Sequence, residues 1–349
     1  MIESFLLIKI LGFAAISFIF AILATPSLTH FLYKYKLGKQ IRSAESAPVF
    51  AKLHIKKEGT PTMGGMLVWG TVLILSLTFL ILSQIFPNTI FERLNFLTRG
   101  QTYLTLGVLV LAAVVGLADD LFGIFKIGPK GGGLNMKHRI MLYIAVAIVG
   151  AWWFFFKLGW DVFHIPFLGD FSIGFWYIPI FIFIIVATSF SVNETDGLDG
   201  LAGGVLASAF ASYVIIATLQ GKADLAVFCA VIVGALVAFL WFNVHPARFF
   251  MGDTGSMSLG VTLGVIAMLT NTALLLPFFG FILMIESLSV ILQLISKKIR
   301  GKKIWHSTPI HHHFEAIGWP ETKVTMRFWI ISAIMSAIGL VLFILDRVL

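Results

Sequence analysis

Long apolar runs alternate with short polar stretches along this chain, and the runs set its architecture. A helix that crosses a bilayer needs about 20 mostly apolar residues. Ten runs read as such spans: 5–33, 66–86, 102–119, 139–157, 174–192, 200–219, 224–243, 256–272, 275–297 and 327–346. Only "TNTALLLP" separates the eighth from the ninth, and Pro277 is placed to start the ninth. The first run is longer than the ~7–15 residues of a signal-peptide core. It follows Glu3 rather than a basic segment, so it reads as a retained span. Between the fourth and fifth runs, "FHIPFLGDFSIGF" places apolar residues on both sides of Gly169-Asp170. That pattern predicts a small β-hairpin, with an irregular loop as the alternative. The expected fold is an all-α polytopic membrane protein, one domain over 1–349.

Composition agrees: the chain is 58% hydrophobic and 12% charged, with mean hydropathy 0.96. A soluble domain carries about twice that charged share. The net charge of +8 would admit a nucleic-acid partner, but the placement of the charges removes that reading. Most of the 25 Lys and Arg lie in alternate loops. Lys34, Lys36, Lys39, Arg42, Lys52, Lys56 and Lys57 follow the first span; Lys126, Lys130, Lys137 and Arg139 follow the third. Arg248 follows the seventh, and Lys297, Lys298, Arg300, Lys302, Lys303, Lys323 and Arg327 follow the ninth. Cytoplasmic loops concentrate Lys and Arg, so both termini are expected outside, with the 162–173 segment also on the outer surface. The single cysteine, Cys229, excludes an intrachain disulfide and a cysteine-based metal site.

The polar residues with chemical potential fall in those same basic loops. "GLADDLFG" brings Asp119 and Asp120 to the end of the third span. "VNETDGLDG" brings Asn193, Asp196 and Asp199, at a spacing that puts them on one face if the segment is helical. "FNVHPARFFMGDTGS" brings Asn243, His245, Phe250 and Asp253, and "KKEGTPTMGG" brings Lys57 and Thr62. "PIHHHFE" brings His311, His312 and His313. Each has a plainer reading: helix caps for the aspartates, core packing for Phe250, a wet loop for the histidines. Against those readings, carboxylates near hydrocarbon are costly, about 2.5–3.5 kcal/mol at mid-membrane and less at the edge. Two adjacent ones also repel, and a cation beside them would relieve both terms. Neighbours on a helix diverge by ~100°, so Asp119 and Asp120 should divide their roles.

Carboxylates without cysteine suit a hard cation such as Mg²⁺. Nearby lysines and histidines suit a phosphate-rich substrate. There is no Walker A segment and no HExxH spacing. The residues alone thus suggest phosphoryl chemistry at a membrane surface, while a transporter with an anion site stays open.

These motifs, in this order, resemble the phospho-N-acetylmuramoyl-pentapeptide-transferase family, within the polyprenyl-phosphate N-acetylhexosamine-1-phosphate transferases. The resemblance covers nearly the whole chain, and "GTPTMGG" and "PIHHHFE" are its most specific signals. It implies transfer from UDP-MurNAc-pentapeptide to undecaprenyl phosphate, with Mg²⁺ required, and release of UMP. It implies Asp253 as the metal ligand, Asp119 with Asp120 beside the lipid phosphate, and His311, His312 and His313 in catalysis. Lys57, Thr62, Lys137, Asn193, Asp196, Asp199, Asn243 and Phe250 match substrate-binding positions, Phe250 being suited to stack on uracil. It further implies a homodimer, and a bent ninth helix in which Glu286 faces protein. Two positions depart from the pattern. Gly123 stands where a lysine is usual, which leaves Lys126, Lys130 or Lys137 to supply its charge, and Phe190 stands where an asparagine is usual. Direct attack by the lipid phosphate is the expected mechanism; a phospho-enzyme on Asp253 is the alternative. A related transferase with another UDP-sugar is the alternative function.

Overall fold

The computed structural model describes residues 2–38, 57–128 and 133–349. Lys39, Arg42, Lys52, Lys56 and Lys130, counted above among the loop charges, lie outside the described residues. The long helices are α1 (Ile2–Lys34), α2 (Met66–Ile85), α3 (Gly100–Ile124), α4 (Met136–Trp152) and α5 (Tyr177–Thr195). They continue as α6 (Leu201–Leu219), α7 (Ala223–Asn243), α8 (Gly252–Leu269), α9 (Phe281–Arg300) and α10 (Glu321–Val348). Among the described residues, nine helices are long and apolar enough to cross a membrane. A bent pair, in which Ala273–Phe279 meets α9 at 91°, passes the same test of length and composition when taken together. The break falls at Gly280, and Pro277 lies in the first turn of the short helix Leu276–Phe279, where its missing N–H costs no ladder bond.

The bundle is built around α8, which is almost wholly buried. Its small residues let other backbones approach, as is usual between membrane helices. Gly260 faces Ser189 of α5, and Gly116 of α3 faces the backbone of Asp253. Elsewhere in the bundle, the hydroxyl of Ser17 in α1 donates to the Val231 carbonyl of α7, at 2.6 Å.

The chain has two poles. At one, Lys9 of α1 donates to the Asn95 carbonyl at 2.8 Å and pairs with Asp224 at the start of α7. There, too, lies a small two-stranded antiparallel sheet of β1 (Val162–Ile165) and β2 (Gly169–Ser172). His164 ties this sheet to Asp346 near the end of α10, at 2.6 Å. The turn is Pro166-Phe167-Leu168 rather than the expected Gly169-Asp170, which lie in β2. Asp170 is held there by His164 across the ladder, at 2.7 Å. The polar motifs gather at the other pole.

Four boundaries differ from the sequence pattern in ways that matter for chemistry. α3 runs on to Ile124, so Asp119 and Asp120 are inside its last turns, where each accepts a backbone N–H. α4 begins at Met136, which makes Lys137 and Arg139 helical. α5 ends at Thr195, so Asn193, Asp196 and Asp199 do not share a helix face. The three histidines occupy a short helix, Ile310–Ala316, started by Pro309, and not a loop.

Candidate active site

Asp119 and Asp120 take opposite directions from neighbouring positions on α3. Asp120 accepts from the Thr254 backbone N–H at 2.9 Å and from the Thr62 hydroxyl at 3.4 Å. Asp119 accepts from the Leu134 N–H at 2.6 Å with one oxygen. Its other oxygen, Oδ2, lies 2.7 Å from Arg139 Nε, yet neither atom makes a hydrogen bond, so charge alone joins them. Arg139 reaches further: Nη2 donates to Asp253 Oδ2 at 2.8 Å and Nη1 to Asn193 Oδ1 at 3.2 Å. The Asn193 amide in turn donates to Asp253. Asp253 lies in the first turn of α8, where the helix dipole favours an anion. Four helices thus deliver two carboxylates, an amide and one guanidinium to a single centre, with Asp120 held against the first turn of α8.

A second cluster adjoins it. Lys57 Nζ lies 2.6 Å from Asp199 and 2.5 Å from Glu321, the first residue of α10. Glu321 also accepts from the Asp199 N–H at 2.6 Å, and His245 Nδ1 lies 3.0 Å from Asp199. The Lys57 ammonium sits 5.8 Å from the centre of the Phe250 ring. Asn243 accepts from Gly200 N–H and donates to the Phe249 carbonyl, which fixes the turn ahead of Phe250. Gly252 is the joint between clusters. Its N–H donates to Asp196 at 3.2 Å, and a Cβ there would fall 2.6 Å from the Thr62 hydroxyl and 2.7 Å from Asp120. Its φ of +74° also favours glycine.

The histidines divide as well. His311 is fully buried and its Nδ1 lies 2.9 Å from Glu286 of α9, which is equally buried. Its Nε2 faces Gly197, where a Cβ would come within 2.2 Å, so only glycine allows the approach. His312 pairs with Glu315 at 2.7 Å. His313 stacks on His306, and burial together with that neighbouring imidazole holds it below the ordinary histidine range. Glu286 faces protein, as the family resemblance implied.

Asp119, Asp120, Asp253, Asn193, Asp196, Asp199, Asn243, Lys57 and Thr62 come together through these contacts, whereas Lys137 is exposed in the first turn of α4. Lys126 is exposed as well. The cation at the centre is Arg139, two residues beyond Lys137, and the sequence reading counted it only as a loop charge. Glu321 was missed too. The signals were present: an arginine and a glutamate each at the polar start of a span that opens towards the acidic motifs.

The donor set fits a hard divalent cation. Asp253 and the buried Asp119 Oδ2, which lacks a hydrogen-bond donor, converge on the one place held by Arg139. Among the described residues, Asp199, His245 and Glu321 bring their ligand atoms within 4.8 Å of one another. Lys57 balances that trio as Arg139 balances Asp119 and Asp253, so each group of carboxylates has a resident cation.

Residues 102–271 match the family described as Glycosyl transferase family 4. Full-length similarity is to proteins named phospho-N-acetylmuramoyl-pentapeptide-transferase. That of Bacillus subtilis is 37% identical over 342 residues, 97% of this chain and 98% of the relative. That of Anoxybacillus flavithermus is 38% identical over 341 residues, 95% and 97% of the two chains. That of Chloroflexus aggregans is 36% identical over 340 residues, 94% and 87%.

Proposed function

The chain belongs to the phospho-N-acetylmuramoyl-pentapeptide-transferase family, and from that premise we propose how its two polar clusters perform the transfer. The enzyme is a multi-pass bacterial membrane transferase. It moves phospho-MurNAc-pentapeptide from UDP-MurNAc-pentapeptide to undecaprenyl phosphate, forming lipid I and UMP in peptidoglycan synthesis. The observation that carries this reading is the adjacency of the Asp119–Arg139–Asp253 centre to the Lys57–Asp199–Glu321 cluster beside Phe250.

In this reading one integral domain over 1–349 works as a homodimer, with both clusters on the cytoplasmic face and both termini and the β1–β2 sheet outside. The placement of Lys and Arg supports that orientation. Phe250 offers a ring face to uracil, with Lys57, Asn243, Asp196 and Asp199 shaping the surrounding turn. Asp253, with Asp119, would hold Mg²⁺, which offsets charge on the diphosphate when bound. Asp119 orients the lipid phosphate and takes up any residual proton. An oxygen of that phosphate attacks the sugar-bearing phosphorus. The bond to UMP breaks, and UMP leaves with the electron pair. Arg139 faces the charge that develops on the transferred group. Asp253 is engaged by Arg139 and Asn193, which argues against it as a nucleophile and for direct attack. His311, fixed by Glu286 against Gly197, sets the histidine helix over the Asp196–Asp199 turn.

The test is release of radiolabelled UMP. It should need UDP-MurNAc-pentapeptide, undecaprenyl phosphate and Mg²⁺ together, and stop with EDTA. Equal release from another UDP-sugar would favour a different branch of the superfamily. Release without lipid phosphate would refute direct attack.

A further inference from the structure

Tyr143 takes no part in the account so far, yet its position is unusual. It lies on α4 four residues after Arg139, one helical turn further from the site pole on the same face. Side chains on a helix lean towards its N-terminus, so the phenol tilts back towards the Asp119–Arg139–Asp253 centre. Tyr143 is 1% exposed. Its hydroxyl is fully buried and has no hydrogen-bond partner among the described residues. It shares the face of α4 that carries Arg139, the residue joined to Asp119 and Asp253.

A buried hydroxyl without a partner is destabilising, and such a group needs an explanation. Tyr177 supplies a contrast. Its hydroxyl is also buried and unpartnered among the described residues, but its ring lies among Phe154 and Phe181. Packing explains Tyr177: the ring is what the core uses. Packing does not explain why a phenol rather than a phenyl sits one helical turn from Arg139, on the face of α4 that meets the carboxylates. The remaining reason is an acceptor that arrives with a substrate. The centre already contains its own anions in hydrogen bonds or ion pairs with Arg139, Asn193 and Leu134, and the phenol takes none of them.

Resting on the phosphotransferase reading, we infer that the Tyr143 hydroxyl is a substrate-contacting donor, which hydrogen-bonds an anionic phosphate oxygen brought to the Arg139 centre. Two phosphates meet there, the prenyl monophosphate and the nucleotide diphosphate, and both present that chemistry.

The experiment compares the full-length wild-type protein with Tyr143→Phe and, as a control, Tyr177→Phe. UMP release is measured while each substrate is varied in turn, and thermal unfolding is followed in the same detergent. Loss of a hydrogen bond to a charged group should lower kcat/KM at least about tenfold in Tyr143→Phe. Its thermal midpoint should be unchanged or higher, because no protein partner is lost. A rise in KM confined to undecaprenyl phosphate assigns the contact to the lipid. A rise confined to UDP-MurNAc-pentapeptide assigns it to the nucleotide, and a fall in kcat with neither KM changed assigns it to the transferring group. Tyr177→Phe should match wild type in kinetics. Wild-type kcat and both wild-type KM values in Tyr143→Phe would overturn the inference, whatever its midpoint. Failure of the wild-type protein itself to release UMP would instead overturn the functional reading beneath it.

Discussion

At the scale of single residues, the decisive group is a cation that the motifs do not advertise. Arg139 is ion-paired with Asp119 and Asp253 at once, whereas Lys137 is exposed on the same turn. Removing one partner of a buried ion pair costs about 3–5 kcal/mol because the other charge is left uncompensated. Arg139→Met should therefore abolish detectable UMP release and lower the thermal midpoint. Lys137→Met should leave the midpoint unchanged and turnover within a few-fold. Equal losses in the two variants would return the role to Lys137. The aspartates were legible because carboxylates at the edge of a membrane span are costly and conspicuous. Arg139 was not, since a basic residue in a basic loop looks like topology. Whether it points inward depends on where α4 begins, and that boundary is set by tertiary contacts.

At the scale of elements, sequence period located the nine long apolar helices and the bent pair, but not their working ends. The histidine run shows why. Adjacent histidines have no periodic signal of their own, and their helix exists because Pro309 starts it and Glu286, on α9, anchors His311. The β1–β2 sheet is anchored by a titrating group in a similar way. His164 is bracketed by Asp170 at 2.7 Å and Asp346 at 2.6 Å. Partial burial pulls its imidazole down, but the hydrogen bonds and charges of those two carboxylates outweigh it and raise it above the ordinary value. A raised value in the folded state means the clasp contributes fully below the unfolded histidine value of about 6.5. The contribution is lost as pH rises through the folded value. His164→Gln should thus lower the thermal midpoint clearly at pH 6 and little at pH 9. A deficit that grows with pH would contradict the clasp.

At the scale of the whole molecule, orientation can be read with thiol chemistry, because Cys229 is the only cysteine and is buried. In a Cys229→Ala background, Leu168→Cys places a thiol in the exposed turn of the β1–β2 sheet. Lys302→Cys places one in the basic segment after α9. A membrane-impermeant maleimide should label the first in intact cells and the second in inverted vesicles; the reverse pattern would invert the proposed topology. The Gly280 break has a consequence of parity. α8 starts at the site pole with Asp253, and α10 starts there too, with Glu321 on Lys57. Between them the chain must travel down the bundle and return, so the bent pair counts as a full crossing despite its 91° turn. The count is then even, and the Lys9 end of α1 and the Asp346 end of α10 come to the same pole, away from the candidate site. A reporter or affinity handle joined beyond either end would leave the substrate approach clear, and two such handles, one on each end, would report from the same compartment.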